Sequence, residues 1–163
     1  MHVSIFTEYF QVREKFSFVH TVCLSNFREE VISIVSMLTG DSPIVTPASK
    51  RDEAIASRIQ FSTSEGDHIS LLKIFRAFKQ TKNEKEFCQV HYLNLRHMQF
   101  AVEVRKQLME LCRRNDIQVQ SCANHTDLVR KALAEGLFTN VAKLTRDGHY
   151  VTVGYIYAHS LET

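Results

Sequence analysis

The sequence predicts a mainly α fold, a helical bundle followed by a short β-hairpin. Apolar residues recur with a helical period through most of the chain from Asn26 to Glu135. The pattern then changes to alternation on both sides of Thr145–Gly148, a segment that ends in Asp-Gly and is typical of a hairpin turn. The 163 residues, 44% hydrophobic and 23% charged, are enough for one globular domain or somewhat more.

The N-terminal third contains two predicted helices after an irregular segment. Residues 1–26 keep neither a helical nor a strand period, so we predict no element there. The first helix begins at Asn26, a suitable N-cap with Glu29 three residues later, and ends at Gly40. After two prolines, Lys50–Phe61 is the second predicted helix. Along this helix Ala54, Ile55, Arg58 and Ile59 are expected to form one stripe.

The third and fourth predicted helices lie on either side of a polar loop. Asp67 is the expected N-cap of the third helix, since its carboxylate can accept bonds from the first backbone N–H groups. The apolar face of this helix consists of Leu71, Leu72, Phe75 and Phe78. Gln80–Lys85 is the expected loop, and Lys85–Tyr92 is a short helix.

Two further helices and the hairpin complete the expected fold. The longest helix spans Met98–Asn115, with a basic side that includes Lys106. Its apolar stripe consists of Ala101, Val104, Leu108 and Leu111. The last helix spans Asp127–Glu135 and stops at Gly136. The strands are expected at Phe138–Leu144 and His149–Tyr157.

A series of short segments between Phe27 and Val153 has a distinctive order and spacing. The segments are Glu29–Leu38, Arg51–Ala54, Glu65–His68, Leu71–Leu72, Phe75–Phe78, Phe87–Cys88, Tyr92–Asn94, Val104–Leu108, Val129–Leu133, Gly136–Phe138 and Gly148–Thr152. Taken together and in this order, they resemble the C-terminal accessory region of DEAH-box ATP-dependent RNA helicases.

The resemblance implies a division of the chain into four parts. Residues 1–26 are an atypical N-terminal segment, because they do not resemble the expected winged-helix domain. Residues 27–66 are the residual tail of that domain with a linker helix, and residues 67–136 are the helicase-associated, or ratchet, bundle. Residues 137–163 begin an OB-fold, which we expect to be truncated because the chain departs from the family pattern after Tyr157.

The family's motor chemistry is not expected in this chain. A P-loop needs G-x-x-x-x-G-K-[ST], and the five glycines do not form this motif. Arg51–Ala54 is followed by Ile55, whereas an Asp-Glu-Ala-His motif ends in His. We therefore expect no ATPase activity and no cofactor in this chain. The resemblance assigns ATP and Mg²⁺ to the parent helicases.

The resemblance also implies contact with single-stranded RNA beside two RecA-like motor domains. Basic, polar and aromatic side chains are the usual means of binding single strands. The candidate RNA-binding residues are Tyr92, Asn94, Arg96, Arg105, Arg113, Arg114, Arg130 and Lys131. For Arg105, Arg113 and Arg114 the alternative is a solvated helix face, and Asn94 has the alternative role of opening the long helix.

Other classes of function receive less support. His20 and Cys23 have the i, i+3 spacing of metal ligands, but such a pair alone does not make a metal site, so we expect none. The absence of an 18-residue apolar run argues against a membrane span, and the lack of C-x-x-C pairs argues against a zinc ribbon or a thioredoxin-type motif. Because no signal peptide is visible, we expect an intracellular protein with free thiols, nuclear or nucleolar rather than cytoplasmic. The alternative function is a protein-interaction fragment that binds helicase motor domains or activating proteins through exposed apolar surface.

Overall fold

A computed structural model describes residues 29–136 and 142–152 of the chain. Within these residues the helices are α1 (Glu29–Met37), α2 (Arg51–Arg58), α3 (Asp67–Gln80), α4 (Glu84–Val90), α5 (Leu95–Arg114) and α6 (Thr126–Gly136). An antiparallel hairpin follows, with strands β1 (Ala142–Leu144) and β2 (Tyr150–Thr152). The predicted mainly α fold with a short C-terminal hairpin is confirmed.

Helix α1 lies at the centre of the bundle. Every residue from Glu30 to Met37 is buried, because α1 packs against α3, α5 and α6. The polar residues Glu29, Glu30, Ser33 and Ser36 share one side of this helix, and all but Glu29 are buried. The two buried serines satisfy their hydroxyl groups locally: Ser33 donates to the carbonyl of Glu29 at 3.1 Å, and Ser36 donates to that of Ser33 at 2.7 Å.

The core divides into two clusters, one against each half of α3. One joins α1, the first half of α3 and α6, and includes Ile69, Leu72 and Val129. The other joins the second half of α3 to α4 and the start of α5, and includes Phe78 and Met98. Because α3 contributes to both clusters, it fixes the position of the N-terminal half of α5 relative to α1.

The second helix does not bury its predicted stripe. Helix α2 buries only Ala54, while Ile55 and Ile59 are 48% and 65% exposed. The physical reason is that α2 is short and is followed by a 3₁₀ turn, Ile59–Phe61, which turns Phe61 into the core instead. The predicted span of Lys50–Phe61 therefore contains a helix and a turn rather than one continuous helix.

Two helix starts differ from the prediction. Gly66, not Asp67, is the N-cap of α3, and its φ of 112° is a conformation that favours glycine. Asp67 is the first helical residue, and no side chain caps this helix. Helix α5 begins at Leu95, three residues before the predicted Met98, because the Asn94 side chain accepts a bond from a free backbone N–H of its first turn.

The hairpin pairs Leu144 with Tyr150 across a turn in which Gly148 has a φ of 81°.

The predicted N-cap Asn26 and the outer ends of both predicted strands lie outside the described residues. No helix in the described ranges is long and apolar enough to cross a membrane. The division of the chain at residues 26, 66 and 136 stays a prediction.

Candidate nucleic-acid interface

A cleft of about 820 Å³ lies between the end of α3 and the C-terminal half of α5. Its apolar lining consists of Phe75, Val102, Met109, Ile117 and Val119. Its charged lining consists of Lys79, Arg105, Lys106, Glu110, Arg113 and Arg114. Five cations thus surround an apolar floor, with a single carboxylate among them.

The period of α5 places most of these side chains together. Residues three, four and seven positions apart share a face of a helix, so Val102, Arg105, Met109 and Arg113 line one side of the cleft. Lys79 comes from the last turn of α3 and closes the opposite side. The cleft therefore exists only when α3 and α5 are packed against the same core.

The single carboxylate of the cleft, Glu110, is shared by two arginines. Arg113 donates from Nε and from its terminal nitrogen to the two carboxylate oxygens, each at 2.8 Å. Arg114 donates from Nε to one of the same oxygens at 2.9 Å. These hydrogen bonds lower the pKa of Glu110 to about 2, so the carboxylate is ionised at any pH near neutrality.

Arg105 is held more firmly than the other cations of the cleft. Its Nε donates to the hydroxyl of Ser33 at 2.9 Å, and its terminal nitrogen forms an ion pair with Glu29. Its guanidinium carbon lies 6.0 Å from the ring centre of Phe75. Arg105 therefore ties α5 to α1 and α3, and it is neither fully solvated nor free to move.

Two other candidates lie in the connection before α5 and outside the cleft lining. The Tyr92 hydroxyl donates to Glu53 at 2.6 Å, and this bond raises the pKa of Tyr92. The side-chain oxygen of Asn94 accepts a bond from the backbone N–H of His97 at 3.2 Å. The backbone N–H of Asn94 donates to the carbonyl of Pro43 at 2.9 Å. The geometry shows the helix-opening role of Asn94, while RNA contact by either residue stays a prediction.

The remaining candidates are Arg96, Arg130 and Lys131, which are exposed. Within the described part of the chain, none of the three side chains forms a hydrogen bond or an ion pair. Arg96 lies in the first turn of α5, about 25 Å along the helix from Arg113. Arg130 and Lys131 lie on α6 and outside the cleft lining. The structure thus brings together three of the eight candidates, Arg105, Arg113 and Arg114.

Sequence reasoning missed two cations of the cleft as site residues. The sequence places Lys106 on the basic side of the long helix but does not mark it as a candidate RNA-binding residue. Its spacing of seven residues from Arg113 nevertheless predicts a shared helix face, and both side chains line the cleft. Lys79 joins the cleft through the packing of α3 against the bundle, which leaves no local pattern in the sequence. Both side chains are exposed.

The described residues offer little to nucleophilic or metal chemistry. Burial raises the pKa of the Cys88 thiol to about 11 and also raises that of Cys112, so neither thiol is a ready nucleophile. No group of three or more His, Cys, Asp or Glu side chains in residues 29–136 and 142–152 could hold a metal ion. The predicted pair His20 and Cys23 lies outside the described residues.

Comparison with known proteins finds relatives among the ATP-dependent RNA helicases. No protein-family model matches the sequence. Over 138 residues, 83% of this chain, it is 39% identical to ATP-dependent RNA helicase DHX33 of Mus musculus and 37% identical to that of Homo sapiens. Over 121 residues, 74% of the chain, it is 40% identical to the pre-mRNA-splicing factor ATP-dependent RNA helicase prp22 of Schizosaccharomyces pombe. The matched region spans 20% of the length of each DHX33 protein and 10% of prp22.

Proposed function

This chain belongs to the DEAH-box RNA helicase family, and on that premise we propose that it serves as an accessory part of such a helicase, holding single-stranded RNA in the cleft between α3 and α5. In this proposal ATP and Mg²⁺ act in the motor domains of the parent helicase. This chain positions the strand and hydrolyses nothing itself.

The observation that carries the proposal is the charge of the cleft. Five cations line it, and Glu110 is the one carboxylate among the lining residues. Lys79 and Lys106 have no hydrogen-bond or ion-pair partner among the described residues, so their ammonium groups are available to phosphates. A groove of this kind attracts a nucleic-acid backbone with little regard to sequence.

The aromatic content of the cleft suggests which part of the strand is bound. Phe75 is the one aromatic side chain in the lining, and it is only 4% exposed. Stacking of a base needs an open aromatic face, which Phe75 does not offer. We therefore propose that the cleft holds phosphates rather than bases, and that binding depends strongly on salt.

The test is the salt dependence of binding to a labelled single-stranded oligouridine, followed by fluorescence anisotropy. The variant Lys79→Ala plus Lys106→Ala should bind more weakly, because two phosphate contacts are lost. The slope of log K against log salt should become shallower by about 1.4, since a single strand contributes about 0.7 per contact.

The matched control is Arg51→Ala plus Lys85→Ala, which removes the same charge from exposed positions outside the cleft lining. This control should change the slope much less than the cleft variant. Equal losses in the two variants would leave only a general charge effect. Absence of binding by the folded wild-type chain at low salt would refute RNA binding altogether.

The apolar floor of the same cleft favours a second candidate function, binding of a partner protein. An acidic amphipathic segment of a motor domain or an activating protein would place its apolar face on Val102 and Met109. Val102→Ser plus Met109→Ser should then abolish capture of purified motor domains and leave the salt slope for RNA unchanged. If the wild-type chain captures no motor domain, this candidate is wrong.

We also propose a nuclear or nucleolar location. The name of the fission-yeast relative refers to pre-mRNA splicing, which supports this proposal for the present chain. Imaging of the tagged chain in cells tests it, and exclusion of the chain from the nucleus would contradict it.

A further inference from the structure

Arg113 and Arg114 are neighbours in the last turn of α5, and both turn back towards Glu110. Arg113 presents the edge formed by Nε and one terminal nitrogen, and the carboxylate occupies that edge with both oxygens at 2.8 Å. Arg114 uses only Nε, at 2.9 Å. The cleft therefore contains its own anion, bound in the way that an arginine binds a phosphate.

We infer that Glu110 competes with RNA phosphates for Arg113 and Arg114 and thereby lowers the affinity of the cleft for a single strand. This inference rests on the proposed function and adds a residue that opposes it. The competitor is displaced, not removed: a phosphate takes the guanidinium edge, and the carboxylate turns into solvent.

The chemistry of the two anions supports an exchange. A carboxylate and a phosphate both offer two oxygens at the spacing of a guanidinium edge, so each can replace the other on Arg113. Arg114 keeps its terminal nitrogens outside the carboxylate contact, and these give an arriving phosphate a first point of attachment.

The exposure of the cluster makes the exchange inexpensive. The side chains of Arg113 and Arg114 are 74% and 71% exposed, and ion pairs in such surroundings are weak. Arg105 provides the contrast, because its pair with Glu29 is reinforced by Ser33 and its side chain is only 23% exposed. Arg105 should therefore stay in place while Arg113 and Arg114 change partners.

Protonation cannot relieve the competition near neutral pH. The hydrogen bonds from Arg113 and Arg114 hold the pKa of Glu110 near 2, so the carboxylate stays charged. Only an anion that binds better, or a substitution, releases the arginines. Glu110→Gln is the direct test, because it keeps the shape of the side chain and removes its charge.

The matched control is Glu103→Gln. Glu103 is exposed, lies two turns earlier on nearly the same face of α5, and has no hydrogen-bond or ion-pair partner within the described residues. Both variants change the net charge by the same amount, so their difference measures the effect of the arginine pairs. Urea unfolding should show that both remain as stable as the wild-type chain.

Two probes are titrated into the full chain, a single-stranded oligouridine and inorganic tripolyphosphate. We expect Glu110→Gln to bind both about threefold to fivefold more tightly than Glu103→Gln, as two helical ion pairs of ordinary strength require. If the wild-type chain binds RNA and the two variants bind alike, the competition is wrong and the proposed function stands.

The second probe separates the remaining outcomes. If no protein binds RNA, but Glu110→Gln still binds tripolyphosphate more tightly than Glu103→Gln, Glu110 competes with phosphate anions in general, and the RNA function is wrong. If none of the proteins binds either probe, both proposals are overturned.

Discussion

At the scale of single residues, the carboxylate of Glu30 joins three parts of the bundle. It is buried in α1 and accepts bonds from Arg76 of α3 at 3.0 Å, from the Ser121 hydroxyl at 2.6 Å and from the Cys122 amide at 3.1 Å. Burial by itself raises the pKa of Glu30, but the bonds from Ser121 and Cys122 outweigh it, and the pKa lies below the ordinary 4.5. The segment around Ser121 is thereby fixed beside α1.

We predict that Glu30→Ala lowers the free energy of unfolding by at least about 2 kcal/mol, because the buried amide of Cys122 and the donors of Arg76 and Ser121 lose this acceptor. Glu29→Ala, the control on the same helix, removes a more exposed pair and should lower it by less than about 1 kcal/mol. Urea unfolding at neutral pH measures both, and equal losses would contradict the assigned role of Glu30.

The pH dependence of this contribution has a definite sign. Because the folded pKa of Glu30 lies below the unfolded one, its stabilisation is complete above about pH 4.5 and is lost as the pH falls through the folded value. The difference between wild type and Glu30→Ala should therefore shrink in acid.

At the scale of elements, Arg58 attaches α2 to the loops beside it, together with the buried Ala54 and the bond between Tyr92 and Glu53. One terminal nitrogen of Arg58 lies 3.3 Å from the carbonyl oxygen of Val45 and 3.4 Å from those of His91 and Tyr92. These contacts cross from α2 to the two loops beside it. Burial lowers the pKa of Arg58, which remains a cation at any working pH.

We predict that Arg58→Ala releases α2 locally. Amide hydrogen exchange over residues 51–58 should accelerate about tenfold, since charge-assisted bonds are lost there, while α1 and α3 keep their protection. Arg51→Ala removes an exposed cation from the same helix and serves as the control. Uniform loss of protection across the chain, or no change over α2, would show that Arg58 does not hold this helix.

Elements could be predicted best where buried apolar residues recur along the chain at a single regular spacing. Helix α3 and the hairpin turn followed from such patterns, whereas the stripe of α2 did not, because Ile55 and Ile59 face solvent and Arg58 faces carbonyl oxygens. The start of α3 could not be decided from the sequence, since Gly66 and Asp67 are neighbours and both residue types suit an N-cap. Only the φ of Gly66 decides between them.

At the scale of the whole molecule, the cleft could be predicted only in part. Arg105, Arg113 and Arg114 lie on one helix, so their shared face followed from their spacing. Lys79 lies 26 to 35 positions before them in the chain, and packing alone brings it to the same cleft. The pairing of Arg105 with Glu29 likewise joins α5 to α1 across the bundle and has no sequence pattern.

We propose that single-stranded RNA lies in the cleft between α3 and α5, and this proposal can be tested directly. The most direct measurement is the change in backbone amide NMR shifts when an oligouridine is titrated into the ¹⁵N-labelled chain at low salt. We expect the largest shift changes at the end of α3 and from Lys106 to Arg114 of α5. Changes centred instead on Arg130 and Lys131 of α6, or no change at any position, would contradict it.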